Sequence, residues 1–155
     1  MKKTFTLFGL LLMCLLTFAQ NPCPQVIPAL QQWKGAKGTL ALPAQGSIVI
    51  NPQDEATLGQ TASILADDLK ELMGWEYTIT TGKAKKNDIY LSLSQPDEQL
   101  GKEGYVLAIN NKVSIEAPTT QGVFWGTRTL LHMLYRQEAT LAKGTTRDWP
   151  EFPSR

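Results

Sequence analysis

At 155 residues, 43% hydrophobic and 19% charged, the chain has the make-up of one globular domain with a modest core. A formal net charge of +1 gives no electrostatic reason to expect nucleic acid or an anionic membrane as partner. Its two cysteines, Cys14 and Cys23, exclude a disulfide framework, because the first lies in a segment with the features of a removable leader.

That leader is residues 1–19. Met1-Lys2-Lys3 supplies positive charge, Phe5 to Leu16 is an apolar run, and Thr17-Phe18-Ala19 ends on a small residue before Gln20. The run falls short of the ~20 apolar residues a membrane span needs, so it reads as a secretory signal peptide. Secretion or periplasmic export is expected, with no membrane span after cleavage. Cys23, alone and between two prolines, reads as a residue of a mobile tail rather than a catalytic thiol.

Residues 20–37 form a polar lead-in whose apolar points are Val26-Ile27-Pro28 and Trp33. The segments Gly38–Leu42 and Ser47–Ile50 read as strands around a Pro-Ala-Gln-Gly turn. After Asn51-Pro52 a helix is expected near Asp54, an acidic residue suited to capping free amides and to the positive end of the helix dipole. Leu58, Ala62, Leu65, Leu69 and Leu72 place one apolar face at helical period. Gly74 is its expected terminator. Strands follow at Glu76–Thr80 and Asp88–Leu93, divided by a loop carrying Lys83, Lys85 and Lys86.

A hairpin comes next. A two-residue turn at Asn110-Asn111 would set Leu107 against Ser114. A three-residue turn through Lys112 pairs Ile109 with Val113 and Leu107 with Ile115, so the apolar sets coincide and this register is expected. Asparagine tolerates the left-handed backbone such a turn calls for. Pro118 ends the second strand, and Thr119 or Thr120 is placed to cap a second helix. In that helix Gly122 and Gly126 stand one turn apart. Each costs about 1 kcal/mol relative to alanine, which predicts a helix backbone set tight against a sheet. The tail Thr145–Arg155 reads as too proline-rich for a helix or a central strand. The order ββαββββα implies one α+β domain: a mainly antiparallel or mixed β-sheet with two helices packed on it. Its expected bounds are 38–144, with 145–155 as a linker.

Chemistry is sparse. The acidic pairs Asp54-Glu55, Asp67-Asp68 and Asp97-Glu98 do not share helix faces and read as solvated. His132 is the chain's one histidine and has no His or Cys cluster to complete a metal cage. The lysine loop lacks interleaved aromatics for base stacking. Gly122-Val123-Phe124-Trp125-Gly126 lacks the Gly-Lys-Ser/Thr ending of a phosphate loop. Trp149 and Arg155, in an extended segment, are residue types that line sugar sites.

The run Gly104-Tyr105-Val-Leu107-Ala-Ile109, then Val113-Ser-Ile115-Glu-Ala117, then Gly122-Val-Phe124-Trp125-Gly126-Thr-Arg-Thr129-Leu130 resembles the N-terminal domain of the family 20 glycoside hydrolases, the β-N-acetylhexosaminidases. Val26-Ile27-Pro28, the helix from Asp54 and the tail Asp148-Trp-Pro150-Glu-Phe152-Pro-Ser-Arg155 fit the same template. The resemblance implies a non-catalytic domain that precedes a (β/α)8 barrel. In the family that barrel carries an Asp-Glu pair and releases terminal N-acetylhexosamine from glycans by a substrate-assisted retaining mechanism. The implied partners are that barrel, missing from this chain, and the glycan substrate. Neither catalytic carboxylate would lie in this chain, which is expected to be inactive alone. No metal or cofactor is implied. Arg155 matches the family arginine that contacts the terminal sugar. The chain departs from the pattern at Glu151, where arginine is common, and at His132, where glutamine is frequent. Two other readings stay open: a standalone carbohydrate-binding module, and the N-terminal domain of another glycosidase such as an α-glucuronidase.

Overall fold

Seven strands form one mixed sheet in the order β1-β7-β5-β6-β4-β2-β3. The strands are β1 (Gln32–Ala41), β2 (Gln45–Ile50), β3 (Glu76–Thr81), β4 (Ile89–Leu93), β5 (Tyr105–Ile109), β6 (Val113–Ala117) and β7 (Thr140–Asp148). Two helices, α1 (Glu55–Met73) and α2 (Thr120–Arg136), pack on the sheet and against each other. The computed structural model describes residues 19–136 and 139–149. The fold is α+β, as the sequence order implies. The strands β3, β2, β4 and β6 are parallel, and β6, β5, β7 and β1 are antiparallel.

Alternation along the strands fixes which face is buried. Ile48 and Ile50, Ile89 and Leu91, Leu107 and Ile109, and Val113 and Ile115 are shut from solvent. They meet Leu58, Ala62, Leu65 and Leu69 of α1 and Val123, Leu130, Met133 and Leu134 of α2 in one core. Each such aliphatic side chain contributes about 1.5–3 kcal/mol by leaving water. The intervening residues, such as Tyr90, Ser114 and Glu116, occupy the opposite face of the sheet.

The hairpin has the expected register, with Ile109 opposite Val113 and Leu107 opposite Ile115. Its turn closes by an Asn110 N–H donating to Lys112 O at 3.0 Å. Neither asparagine is left-handed. Among the described non-glycine residues only Asn87 (φ 68°) and Ala139 (φ 69°) have positive φ, so the left-handed asparagine lies instead in the loop before β4. Gly74 caps α1 at φ 69°, and its N–H reaches the Leu69 and Lys70 carbonyls, the left-handed cap expected of it. Thr119 caps α2, its hydroxyl oxygen accepting the Gly122 N–H at 3.0 Å.

Four expectations give way. Asp54 makes no side-chain cap of α1. Its Oδ2 accepts the Leu93 N–H of β4 at 2.9 Å and the Asn51 side-chain amide at 2.8 Å, a tertiary use that outcompetes the local one. Leu72 continues the apolar spacing but is 57% exposed, because Met73, four residues after Leu69, takes the next place on the core-facing stripe. The first strand starts at Gln32, inside the segment taken as lead-in. The order also extends past α2: β7 runs through Thr145–Asp148 between β1 and β5. The tail's prolines, Pro150 and Pro153, fall after the strand, so they do not deprive it of ladder donors.

Candidate functional site

The segment before β1 crosses the helix side of the domain as a strap. Asn21 anchors one end: its side-chain amide donates to Gly38 O at 2.7 Å and Lys143 O at 3.0 Å, and its carbonyl accepts the Trp33 indole N–H at 3.1 Å. The Gln31 N–H, donating to Asp148 Oδ1 at 2.9 Å, holds the other end. Between them Val26 is buried whereas Ile27 is 83% exposed. The Ile27 N–H points to His132 Nδ1 at 3.4 Å, a long hydrogen bond that makes His132 an acceptor at that nitrogen.

The strap, α2 and the ends of β5 and β7 enclose a cleft of about 630 Å³. Trp125, Arg128, Thr129 and His132 of α2 line it, since steps of three and four place them on one helix face. Val26, Ile27 and Pro28 form the strap wall, and Tyr105, Asp148 and Trp149 lie across from it. The floor is built by two close approaches. A Cβ at Gly122 would meet the Gly104 carbonyl and come within 2.7 Å of the Ala117 Cβ. One at Gly126 would run into the Ile115 side chain and within 3.2 Å of the Tyr105 ring. The paired glycines therefore let α2 rest directly on β5 and β6, as their spacing predicts.

The charged groups of the cleft are tied within the chain. The Tyr105 hydroxyl lies 2.9 Å from Asp148 Oδ2 and 2.5 Å from Thr129 Oγ1. A carboxylate only accepts, so Tyr105 donates to Asp148 and accepts from Thr129. Burial pushes the Tyr105 phenol well above its ordinary range, the Thr129 hydrogen bond opposes this, and the Asp148 charge adds to it. Arg128 pairs with Asp68 of α1 at 2.5 Å and stacks 4.7 Å from the Phe124 ring. Glu103 accepts the Gln121 side-chain amide at 2.7 Å. The cleft also offers ring faces and aliphatic surface, with Trp125 43% exposed.

The residues singled out in the sequence scatter. Arg155 lies outside the described residues, as does Glu151. Trp149 and His132 both line the cleft. The acidic pairs are apart and separately engaged: Asp54 on β4, Asp68 on Arg128, Asp97 on Arg147 at 2.6 Å. Cys23 is exposed and free, and partial desolvation raises its thiol above the ordinary value. Among the described residues no three His, Cys, Asp or Glu side chains come together as a metal site. No described helix is long and apolar enough to cross a membrane. Sequence reasoning missed Tyr105, Trp125, Arg128 and Asp148. The Trp125-Arg128-His132 spacing was the signal available, a polar helix face carrying a bulky aromatic.

Comparison with known proteins places this geometry. Residues 23–149 match the model of "Glycosyl hydrolase family 20, domain 2". Lacto-N-biosidase of Bifidobacterium bifidum is 31% identical over 134 residues, which is 85% of this chain and 12% of that protein. The N-acetyl-beta-hexosaminidase of Streptomyces plicatus, solved with Thio-NAglucal, superposes with a TM-score of 0.73 at 25% identity, over 88% of this chain and 28% of that one. The beta-N-acetylhexosaminidase of Streptomyces coelicolor shares the fold with a TM-score of 0.67 at 23% identity, over 86% of this chain and 28% of that one. The chain thus spans between 12% and 28% of the length of these relatives, and along most of its own length it belongs to the glycosyl hydrolase family 20, domain 2 family.

Proposed function

We propose that this chain is the non-catalytic N-terminal domain of a secreted bacterial β-N-acetylhexosaminidase. The complete enzyme would release terminal N-acetylhexosamine from glycans in a barrel that follows this domain, by a substrate-assisted retaining mechanism. The domain's part is structural: it supports that barrel. Arg155 is assigned to the terminal sugar's hydroxyls, reached from the linker. The leader at residues 1–19 supports export.

One observation carries this reading. The two acids that line the cleft, Glu103 and Asp148, are both held by donors of the chain itself. The mechanism proposed uses an Asp-Glu pair facing one reacting bond, and these two acids serve instead to fix α2, β5, β7 and the strap. The matched family domain and the short share of each relative's length support the same conclusion. The exposed ring of Trp125 favours a second reading, a sugar-binding module, since sugars stack on such faces. The internal bonds of Tyr105, Thr129, Asp148 and Arg128 weigh against it, because those groups are already used within the domain.

The test is an assay of two samples with a chromogenic N-acetylglucosaminide. The polypeptide of the uninterrupted reading frame should turn it over, and the 155-residue chain should not. Turnover by the short chain would overturn the reading. Measurable binding of N-acetylglucosamine oligomers by the short chain would favour the module.

A further inference from the structure

The two edges of the sheet are built differently. β1 forms one edge, and that edge is blocked. Its ladder to β7 is irregular between Gly35 and Thr39, and Gly38 stands at φ 81°. Asn21 covers it, donating its N–H to Ala36 O at 3.0 Å and its side-chain amide to Gly38 O at 2.7 Å. A bulge-like break and a covering segment protect an edge strand from pairing with another chain. β3 forms the other edge and has neither. It pairs with β2 without interruption from Glu76 to Thr81, carries no proline or lysine, and is exposed at every residue but Tyr77. The Glu76 N–H donates to Ala44 O at 2.9 Å and the Gly82 N–H to Ile50 O at 3.2 Å, so the even-numbered residues turn their backbone groups to β2. The N–H and C=O groups of Tyr77, Ile79 and Thr81 therefore point away from the sheet. Among the described residues they take one bond, from the Thr80 hydroxyl to Thr81 O at 3.4 Å.

We infer that β3 is a self-association edge, which pairs antiparallel with β3 of a second copy of this chain about a two-fold axis at Ile79. The strand's own sequence selects this occupant and this register. Joining outward residues to outward residues sets Ile79 opposite Ile79 of the other copy and Tyr77 opposite Thr81, each pair exchanging both N–H···O bonds. Between them Thr78 falls opposite Thr80, a threonine pair of the kind that stabilises antiparallel strands. Ile79 shares a strand face with the buried Tyr77 and is itself 44% exposed, so the two Ile79 side chains meet on that face and leave water. Glu76 falls opposite Gly82, so no like charges meet. An axis two residues earlier would set Ile79 opposite Trp75, and one two residues later opposite Lys83, both outside the strand. The contact is isologous, so it closes at two copies, and the blocked β1 edge keeps the sheet from growing at its other end. One strand pair is small beside the roughly 1,200–2,000 Å² of stable interfaces. The dimer is therefore reversible and fills at about 0.1–1 mM protein. Its formation does not depend on a catalytic domain following this one.

Sedimentation equilibrium and amide hydrogen exchange test this on the polypeptide of the uninterrupted reading frame. As concentration rises to about 1 mM, the average mass should climb towards that of two chains. Over the same range the Tyr77, Ile79 and Thr81 amides should gain protection. The Thr78 and Thr80 amides, already bonded to β2, should be protected throughout. Ile79→Lys sets two lysines face to face and should weaken dimerisation by about tenfold or more. Ile79→Pro removes an outward N–H and spares the ladder to β2, so it too should leave monomer. A melting curve of each variant at low concentration checks its fold, and where a variant does not fold the exchange pattern of the wild type decides alone. A constant monomer mass up to about 1 mM would overturn the inference. A dimer that survives both substitutions would place the interface elsewhere and overturn it as well. So would exchange at Ile79 that does not change with concentration.

Discussion

The Tyr105 hydroxyl donates to Asp148 Oδ2 at 2.9 Å, which joins the start of β5 to the end of β7 beneath the cleft. The same carboxylate takes the Gln31 N–H at 2.9 Å, so one aspartate holds both the floor and the strap. Removing the phenol oxygen strands a half-buried carboxylate oxygen and the Thr129 hydroxyl together. Tyr105→Phe is expected to cost about 1–3 kcal/mol, the range for leaving buried polar groups unpaired. A urea melt reads this as a lower midpoint at unchanged slope. A midpoint equal to wild type would show that water replaces the phenol without loss.

The glycines of the helices divide by what surrounds them. A Cβ at Gly122 would meet backbone of Gly104, which has no rotamer to yield. Gly122→Ala is expected to destabilise by about 1–3 kcal/mol through overpacking, despite the better helix propensity of alanine. Gly59 lies inside α1 with nothing within 4 Å of the added carbon. Gly59→Ala should therefore stabilise by about 0.5–1 kcal/mol. Opposite signs in paired thermal melts are the expected outcome, and equal signs would contradict the close approach of α2 to the sheet.

What the sequence made legible was local. The match of Leu107 to Ile115 followed from the alternation of two neighbouring strands, and the tight seat of α2 followed from two glycines one turn apart. The missed strand β7 has a physical cause. Thr140–Asp148 carries few bulky apolar residues, and its place is set by ladders to β1 and β5, partners more than thirty residues away in the chain. Asp54 reads as a cap because a sequence shows neighbours only, whereas its true partner is Leu93. The cleft was least legible, being assembled from Ile27, Trp125, Asp148 and Trp149 on three separate elements. Spacing along one helix reveals part of it and the strap none.

Tyr77 gives the domain an alkaline limit. Its ring is buried, its hydroxyl donates to Pro43 O at 2.8 Å, and burial, with a contribution from the Asp88 charge, pushes its phenol from 10.0 up to about 12. A raised folded value means the native state holds the proton more tightly than the unfolded chain. The resulting stability is full below pH 10 and is lost as pH rises towards 12. Wild type should lose stability across that window more steeply than Tyr77→Phe. Parallel curves for the two proteins would remove Tyr77 as the cause.

Asp97 sets an effect of the opposite sign at acid pH. The Arg147 guanidinium donates to its Oδ2 at 2.6 Å, and the Gln99 and Leu100 N–H groups donate to its Oδ1 at 3.0 and 3.2 Å. The arginine hydrogen bond first, then the backbone ones, holds this carboxyl below its ordinary 3.8. A depressed folded value contributes stability that is present above 3.8 and disappears as pH falls through the lower native value. The pair is open to water, so salt should weaken the effect. Asp97→Asn should flatten the acid limb of a melting-temperature profile by lowering the neutral plateau slightly, the two profiles converging at acid pH. The difference between the two proteins should shrink in 1 M salt, where the screening length falls to about 3 Å. A salt-independent difference would place the stabilisation in the backbone hydrogen bonds to Asp97 rather than in its pairing with Arg147.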